Sequence, residues 1–165
     1  MNKLKIYLDT SVISCLEQKN KPDDRKDCEK LFAKIRAGEY DVYVSDVTRD
    51  ELENCQEPLK TLLLKHLEST AYSLIEDDGE ITELAKAFIA AGVLKPTSYD
   101  DSVHIASAVV AKCDVVVSLN FRHIVNPETS RGVRSVCFNN GYKIIDIYSP
   151  KSLLMEDDGN VISNS

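Results

Sequence analysis

Three features are missing from this 165-residue sequence: a long apolar run, a zinc-binding cysteine or histidine motif, and an excess of positive charge. No apolar run approaches the roughly 20 residues that span a bilayer, so the sequence predicts no membrane segment. The five cysteines form no Cys-x-x-Cys pair and the three histidines no His-Glu-x-x-His motif, which disfavours a structural zinc site. Scattered cysteines of odd number are typical of reduced thiols, and we expect a cytoplasmic protein.

The charge balance limits the classes of function further. The chain carries 20 basic and 27 acidic side chains, a formal net charge of −7, which argues against a protein that grips nucleic acid through bulk positive charge alone. A nuclease is compatible with this balance, because a divalent cation in an acidic site supplies its own positive field. The first predicted strand begins almost at residue 1, and we therefore expect no signal peptide.

Length and the order of elements predict the fold. A chain of 165 residues suits one domain with a sizeable core. Short β-branched runs alternate with helical patterns, which predicts an α/β fold, a three-layer α/β/α sandwich with a central parallel sheet. The five predicted strands are 4–8, 41–45, 71–75, 115–118 and 143–147. The predicted helices are 10–16, 23–37, 46–54, 58–68, 81–91, 99–113 and 127–138.

Asp9 and Asn120 each follow a predicted strand. An alternating apolar segment (4–8) leads directly to Asp9, and Asn120 comes shortly after the valine run 115–117. Ligands of open parallel α/β sheets bind outside the carboxyl ends of the strands, so both residues are candidates for a functional site. For Asp9 an ordinary role as N-cap of the next helix is the alternative.

Glu51 and Asp101 lie near the starts of two predicted helices. Each acid follows a hydroxyl residue (Thr48 and Ser98, respectively) by three positions, which is the spacing of a capping box and explains both acids without a site. The capping explanation of Glu51 weakens if Ser45 is the N-cap, because Glu51 then lies inside the helix. Asp101 borders the apolar face of its helix, which directs it toward the edge of the sheet.

Three carboxylates gathered in one pocket would repel one another. At an effective dielectric constant of ~20, each close pair costs about 4 kcal/mol at a separation of 4 Å. A positive group must therefore compensate if Asp9, Glu51 and Asp101 meet. Hard oxygen ligands favour Mg²⁺ or Mn²⁺, held by a few carboxylates with several waters left on the ion.

Four stretches, in this order, resemble the PIN-domain family: Tyr7–Ser11, Ser45–Glu51, Asp101–Ala108 and Ser118–Ile124. The resemblance implies a single PIN-like nuclease domain over 1–148, and we expect residues 149–165 to form a loosely attached tail. The family includes metal-dependent ribonucleases, among them toxins of bacterial and archaeal toxin–antitoxin pairs.

Carried over position by position, the resemblance implies that Asp9, Glu51 and Asp101 bind the metal ion, Mg²⁺ or Mn²⁺. Asn120 stands where many members have a fourth acid, and we include it among the expected catalytic residues. An amide oxygen can coordinate a metal but brings no charge, so this position departs from the family pattern. His123 stands where another acid is often found, and it receives no catalytic role.

The function implied by the resemblance is hydrolysis of RNA phosphodiester bonds. A metal ion on Asp9 and Asp101 would activate a water, and Glu51 would orient or deprotonate it. Thr10 and Ser11 are candidates for contacts to phosphate, with simple turn chemistry as the alternative. The competing hypothesis is a PIN-fold binding or regulatory module with weakened or lost nuclease activity, which Asn120 and the acidic surface motivate.

Partners are the last expectation from the sequence. RNA is the expected substrate, and the resemblance adds an antitoxin protein and a second copy of the chain as partners. Three arginines could contact the RNA backbone, or they could simply be solvated: Arg122, Arg131 and Arg134. Four leucines at helical spacing fit ordinary core packing or, by resemblance, a dimer or antitoxin groove: Leu59, Leu62, Leu63 and Leu67.

Overall fold

A five-stranded parallel sheet forms the centre of the structure, a computed structural model that describes residues 3–163 and the side chains of residues 3–159. The strands run in the order β3-β2-β1-β4-β5, and every neighbouring pair is parallel. The strands are β1 (Leu4–Leu8), β2 (Tyr40–Ser45), β3 (Ser73–Ile75), β4 (Val115–Val117) and β5 (Asp146–Tyr148). The predicted α/β class and five-stranded parallel sheet are confirmed.

Helices cover both faces of this sheet, as a parallel sheet requires. One face is covered by α1 (Thr10–Ser14), α2 (Pro22–Arg36), α3 (Asp46–Glu53), α4 (Leu59–Glu68) and α8 (Pro150–Ser163). The other face is covered by α5 (Glu80–Ala90), α6 (Tyr99–Val110) and α7 (Pro127–Asn139). Within the described residues, none of these helices combines the length and apolar character needed to cross a membrane.

Side-chain alternation along β1 divides the core into two clusters. Ile6 and Leu8 pack into the cluster under α1–α4, whereas Tyr7 belongs to the cluster under α5–α7. All three side chains are buried, which is the expected environment of a central strand covered on both faces.

The direction of the strand order reverses at β1. Strands β2 and β3 lie on one side of β1, and strands β4 and β5 lie on the other. In open α/β sheets such a reversal opens a crevice at the carboxyl ends of the two central strands. Asp9 directly follows β1 and Asn120 follows β4, so both residues lie at this crevice.

Two parts of the structure differ from the sequence prediction. The last strand is Asp146–Tyr148 instead of 143–147, because parallel pairing with β4 aligns Val115 with Asp146. The tail after Ser149 was predicted to be loosely attached, but its residues Pro150–Ser163 form α8, in which Leu153 is 1% exposed in the core. The acidic side chain of Asp157 accepts a hydrogen bond from the Tyr40 hydroxyl, which also anchors the helix.

The four leucines of α4 divide between core and surface. Leu63 and Leu67 are buried in the core, whereas Leu59 and Leu62 are 41% and 42% exposed. Core packing therefore explains two of these leucines and leaves the other two on the surface.

The attachment of α8 can be tested by truncating one buried side chain. Replacement of Leu153 by alanine removes apolar contacts from the core, and we expect the free energy of unfolding to fall by about 2–4 kcal/mol. Met155→Ala is the matched control on the same helix, because Met155 is 64% exposed. Urea denaturation followed by circular dichroism measures both, and equal stability of the two variants would contradict the docking of α8.

Candidate functional site

Asp9 is held at the end of β1 by two serine hydroxyls. Ser11 Oγ donates to Asp9 Oδ1 at 2.5 Å, and Ser118 Oγ donates to Asp9 Oδ2 at 2.5 Å. The side chain is 3% exposed and makes no capping hydrogen bond to α1, although Asp9 occupies the N-cap position. Burial raises the pKa of Asp9, although His104 and the two serine hydroxyls act in the opposite direction.

The same two serines connect the ends of β1 and β4. Ser11 Oγ accepts a hydrogen bond from the backbone N–H of Leu119 at 2.9 Å, and Ser118 Oγ accepts one from the N–H of Asn120 at 2.9 Å. Asp9 also donates its own backbone N–H to the carbonyl of Val117 at 3.3 Å. The position of the Asp9 carboxylate is therefore determined by both central strands.

Glu51 reaches the same end of the sheet from α3. Its Oε1 atom accepts a hydrogen bond from Thr10 Oγ1 at 3.1 Å and lies 2.6 Å from His104 Nε2. Burial alone raises the pKa of Glu51, but the bonds from His104 and Thr10 outweigh this effect and lower the pKa below its ordinary value. The capping box proposed for Thr48 and Glu51 is absent, because Thr48 Oγ1 instead donates to the carbonyl of Leu8 at 3.3 Å.

Asp101 lies in the first turn of α6 and is half-buried. Its Oδ1 atom accepts a hydrogen bond from Asn120 Nδ2 at 3.3 Å. Burial raises the pKa of Asp101, and the charges of Asp9 and Glu51 raise it further, whereas His104 and His123 lower it. Asp101 therefore lies within the electrostatic influence of both Asp9 and Glu51.

The capping alternatives for the remaining hydroxyl residues also fail. Ser98 is the residue before α6 and makes no capping bond with its side chain. Ser45 precedes α3 as predicted, but its Oγ lies 2.7 Å from the Tyr7 hydroxyl instead of capping the helix. Thr10 and Ser11 use their hydroxyls to position Glu51 and Asp9, which is a different role from the phosphate contact or simple turn expected from the sequence.

His104 is the functional-site residue that the sequence analysis missed. It is 3% exposed on α6, with Nε2 on Glu51 and Nδ1 at 2.7 Å from the Tyr7 hydroxyl. Burial alone lowers the pKa of His104, but the Tyr7 oxygen, Glu51 and Asp9 raise it to about 10. The protonated ring is thus a positive charge among the acids. The sequence feature that could have identified His104 is its position three residues after Asp101, because residues at this spacing lie on the same face of a helix.

The carboxylate oxygens of the three acids are the type of ligand atom that hard divalent cations bind. Each of the three acids offers carboxylate oxygen, the ligand that Mg²⁺ and Mn²⁺ prefer. Glu51 Oε2 and Asp101 Oδ2 have no hydrogen-bond partner among the described residues. Over residues 3–159, however, no three His, Cys, Asp or Glu side chains are close enough to form a metal site. Ligation by Asp9, Glu51 and Asp101 therefore stays a prediction.

The buried pair of His104 and Glu51 can be tested by stability measurements. In His104→Ala the carboxylate of Glu51 and the buried hydroxyl of Tyr7 each lose a partner, and we expect a loss of about 1–3 kcal/mol in the free energy of unfolding. His66→Ala is the matched control, because His66 Nε2 lies 2.7 Å from Glu17 Oε1 in a pair whose histidine is 35% exposed. Because the His66 ring is far more exposed than the His104 ring, this pair should contribute less than about 1 kcal/mol in urea denaturation at pH 7. Equal losses in the two variants would contradict a special role of the buried pair.

Comparisons with known proteins agree with this fold. The family model described as PIN domain matches residues 6–125, a segment that contains Asp9, Glu51, Asp101 and Asn120. One solved structure, the crystal structure of VapBC2 from Rickettsia felis bound to a DNA fragment from their promoter, contains a similar chain. The TM-score is 0.54 at 14% sequence identity, with 88% of this chain and 98% of that chain covered. No curated protein sequence gives a significant match. Because the family model spans most of the sequence, the chain belongs to the PIN domain family.

Proposed function

We propose that the protein is a metal-dependent endoribonuclease that hydrolyses RNA phosphodiester bonds. The observation that carries this proposal is that each of the three acids is hydrogen-bonded to a residue that follows β1 or β4: Asp9 to Ser118, Glu51 to Thr10 and Asp101 to Asn120. Family membership supports a nuclease, and the oxygen donors of Asp9, Glu51 and Asp101 support Mg²⁺ or Mn²⁺ as the cofactor. All five cysteines are free thiols, which supports the expected cytoplasmic location.

Each acid has a distinct task in the proposed reaction. A divalent cation, when bound, lowers the pKa of water and stabilises negative charge on the phosphate. Asp9, clamped through both oxygens by Ser11 and Ser118, is a rigid ligand. Asp101 would be the second ligand and Glu51 the third. The Glu51 carboxylate would accept the proton of the water that attacks phosphorus, while the P–O bond to the leaving ribose oxygen breaks and that oxygen takes a proton from solvent. Thr10 and His104 both contact Oε1 of Glu51, which leaves Oε2 without a hydrogen-bond partner among the described residues.

Asn120 has a different task from the acid found at its position in other family members. Its Nδ2 donates to Asp101 Oδ1, and its Oδ1 accepts the backbone N–H of His123 at 3.0 Å. The amide therefore orients Asp101 and adds no negative charge. We assign Asn120 as a positioning residue for the Asp101 carboxylate.

RNA cleavage by purified protein tests the nuclease proposal. We expect cleavage with Mg²⁺ or Mn²⁺ and none with EDTA, because the reaction needs the cation. Asp9→Asn and Asp101→Asn should each reduce the rate by more than about 100-fold, since even partners outside the ligand shell are worth 10–100-fold.

Asp100→Asn is the matched control for Asp101→Asn. Asp100 precedes Asp101 in the same turn of α6, and its side chain is exposed to solvent. The control should cleave RNA at the wild-type rate. Equal rates for wild type, Asp9→Asn and Asp101→Asn would identify a contaminating nuclease and overturn the proposal.

The second candidate function is a PIN-fold binding or regulatory module with weakened nuclease activity. Asn120 favours it, because one negative charge is missing where many family members have an acid. Replacement of Asn120 by aspartate separates the two functions. The new carboxylate would stand beside Asp101, and we expect lower stability in EDTA together with Mn²⁺ binding at least about tenfold tighter, a change of ~1.4 kcal/mol.

Isothermal calorimetry with Mn²⁺ measures this effect. Asn20→Asp, which adds the same charge at an exposed position, is the control and should leave Mn²⁺ affinity unchanged. Tight binding of Mn²⁺ by the wild-type protein, with no gain in Asn120→Asp, would contradict the weakened-module hypothesis.

A role as the toxin of a toxin–antitoxin pair is part of the same proposal. The structural similarity to a chain of the VapBC2 complex supports it, and the exposed Leu59 and Leu62 on α4 offer an apolar surface for an antitoxin or a second copy of the chain. Loss of RNA cleavage on co-purification with the product of an adjacent gene would support this role, and unchanged cleavage would contradict it.

A further inference from the structure

A cleft of about 240 Å³ has Lys95, Arg122 and His123 in its lining, together with Glu128 and several uncharged residues. Lys95 contributes from the segment after α5, and Arg122 and His123 contribute from the loop after β4. The walls are in close contact: a Cβ atom at Gly132 on α7 would lie 2.9 Å from the methyl carbons of Val93, so glycine is needed there. The cleft is thus a built feature of the fold.

One side chain connects this cleft to the acids. Asn120 Oδ1 accepts the backbone N–H of His123 at 3.0 Å, while Asn120 Nδ2 donates to Asp101 Oδ1 at 3.3 Å. The His123 ring is held from the other side, with Nδ1 at 3.3 Å from Ser98 Oγ. The cleft is therefore connected through Asn120 to Asp101, one of the carboxylates proposed to act on the phosphodiester.

The cations of the cleft are not used in ion pairs within the part of the chain that the structure describes. No carboxylate lies within 4.0 Å of the charged groups of Lys95 or Arg122, even though Glu128 lines the same cleft. With Lys95 and Arg122 against Glu128, the lining of the cleft has a formal charge of +1, opposite in sign to the net charge of −7 of the whole chain. Such a reversal next to an acidic site suits a phosphate group that neighbours the reacting one.

The loop that carries Arg122 and His123 also presents an aromatic ring. Phe121 is 53% exposed, although the loop itself is ordered by hydrogen bonds from Asn126 Nδ2 to the carbonyls of Phe121 and Arg122, both at 3.2 Å. Exposed aromatic rings beside cations are typical of single-stranded RNA sites, where bases stack on the ring and phosphates meet the cations.

We propose that the cleft lined by Lys95, Arg122 and His123 binds a phosphate of single-stranded RNA adjacent to the cleaved phosphate, with Phe121 as a stacking surface for a neighbouring base. This inference rests on the proposed function, because it assumes that RNA is the molecule brought to the acids.

Binding and cleavage must be measured separately to test the cleft. Fluorescence anisotropy in EDTA, with the full-length protein and a labelled single-stranded RNA of roughly 10 nucleotides, reports binding without cleavage. The double variant Lys95→Ala/Arg122→Ala should bind roughly tenfold more weakly, and the slope of log K against log salt should fall by about 0.7 for the loss of one phosphate contact. Phe121→Ala should weaken binding by about fivefold or more.

Lys26→Ala/Arg36→Ala is the matched control, because it removes the same charge from exposed positions of α2 on the opposite face of the sheet. Its RNA affinity should stay within about twofold of wild type. Thermal unfolding of each variant establishes that the fold is retained. An equal loss of affinity in this control would mean that bulk charge, not the cleft, binds RNA, and would overturn the inference.

The remaining outcomes separate the cleft from the nuclease proposal. Unchanged RNA binding by Lys95→Ala/Arg122→Ala, in a protein that cleaves RNA with Mn²⁺, would overturn the cleft and leave the nuclease intact. Cleft-dependent binding of RNA by a protein that cleaves none with Mn²⁺ would support the cleft and overturn the nuclease. A loss of binding to an antitoxin alone, with RNA binding unchanged, would make the cleft a protein-docking site and overturn the RNA assignment.

Discussion

The ion pair between the buried ring of His104 and the half-buried carboxylate of Glu51 organises the acidic end of the sheet. Its two atoms are 2.6 Å apart, and the opposite ring nitrogen of His104 contacts the Tyr7 hydroxyl at 2.7 Å. Tyr7 belongs to the central strand, Glu51 to α3 and His104 to α6, so this one contact connects the sheet to helices on both of its faces. His104 is the buried partner, whereas Glu51 is 40% exposed, and the position of the Glu51 carboxylate depends on His104 because the ring holds Oε1 at 2.6 Å.

The positive charge of His104 also offsets part of the repulsion among the acids. Carboxylates brought together in a half-buried crevice raise one another's pKa, and Asp101 experiences this from both Asp9 and Glu51. His104 supplies one positive charge from inside the protein. A divalent cation at the proposed metal site would add charge to an arrangement that is already partly neutralised.

Topology determines where this chemistry is placed. The reversal of strand order at β1 opens the crevice. Ser11, after β1, and Ser118, after β4, each donate a hydrogen bond to the Asp9 carboxylate, which connects the ends of the two central strands. Beyond the acids, Asn120 is bonded both to Asp101 and to the loop that lines the basic cleft. The side-chain amide of Asn120 therefore connects the acidic site to the basic cleft. This arrangement suits a substrate that carries regularly spaced phosphates.

Sequence patterns alone were sufficient for the layer order, the five parallel strands and the position of Asp9 at a strand end, because alternation and helical periodicity are local properties of the chain. The same patterns could not locate the last strand, whose bounds depend on pairing with β4, or the docking of α8, which depends on an apolar groove formed by other segments. The capping interpretations of Glu51 and Asp101 were equally local, and the structure removed them through contacts with distant residues.

The sequence by itself thus determined the class of fold, the family resemblance and the acids that are candidates for the site. Only the tertiary structure decided that His104, 53 residues from Glu51 in the chain, is the counter-charge, and that two serines hold Asp9. The physical reason is that charge compensation and hydrogen bonding act between groups a few ångströms apart in space. A sequence records how far apart two residues are along the chain, and it does not record how far apart they are in space.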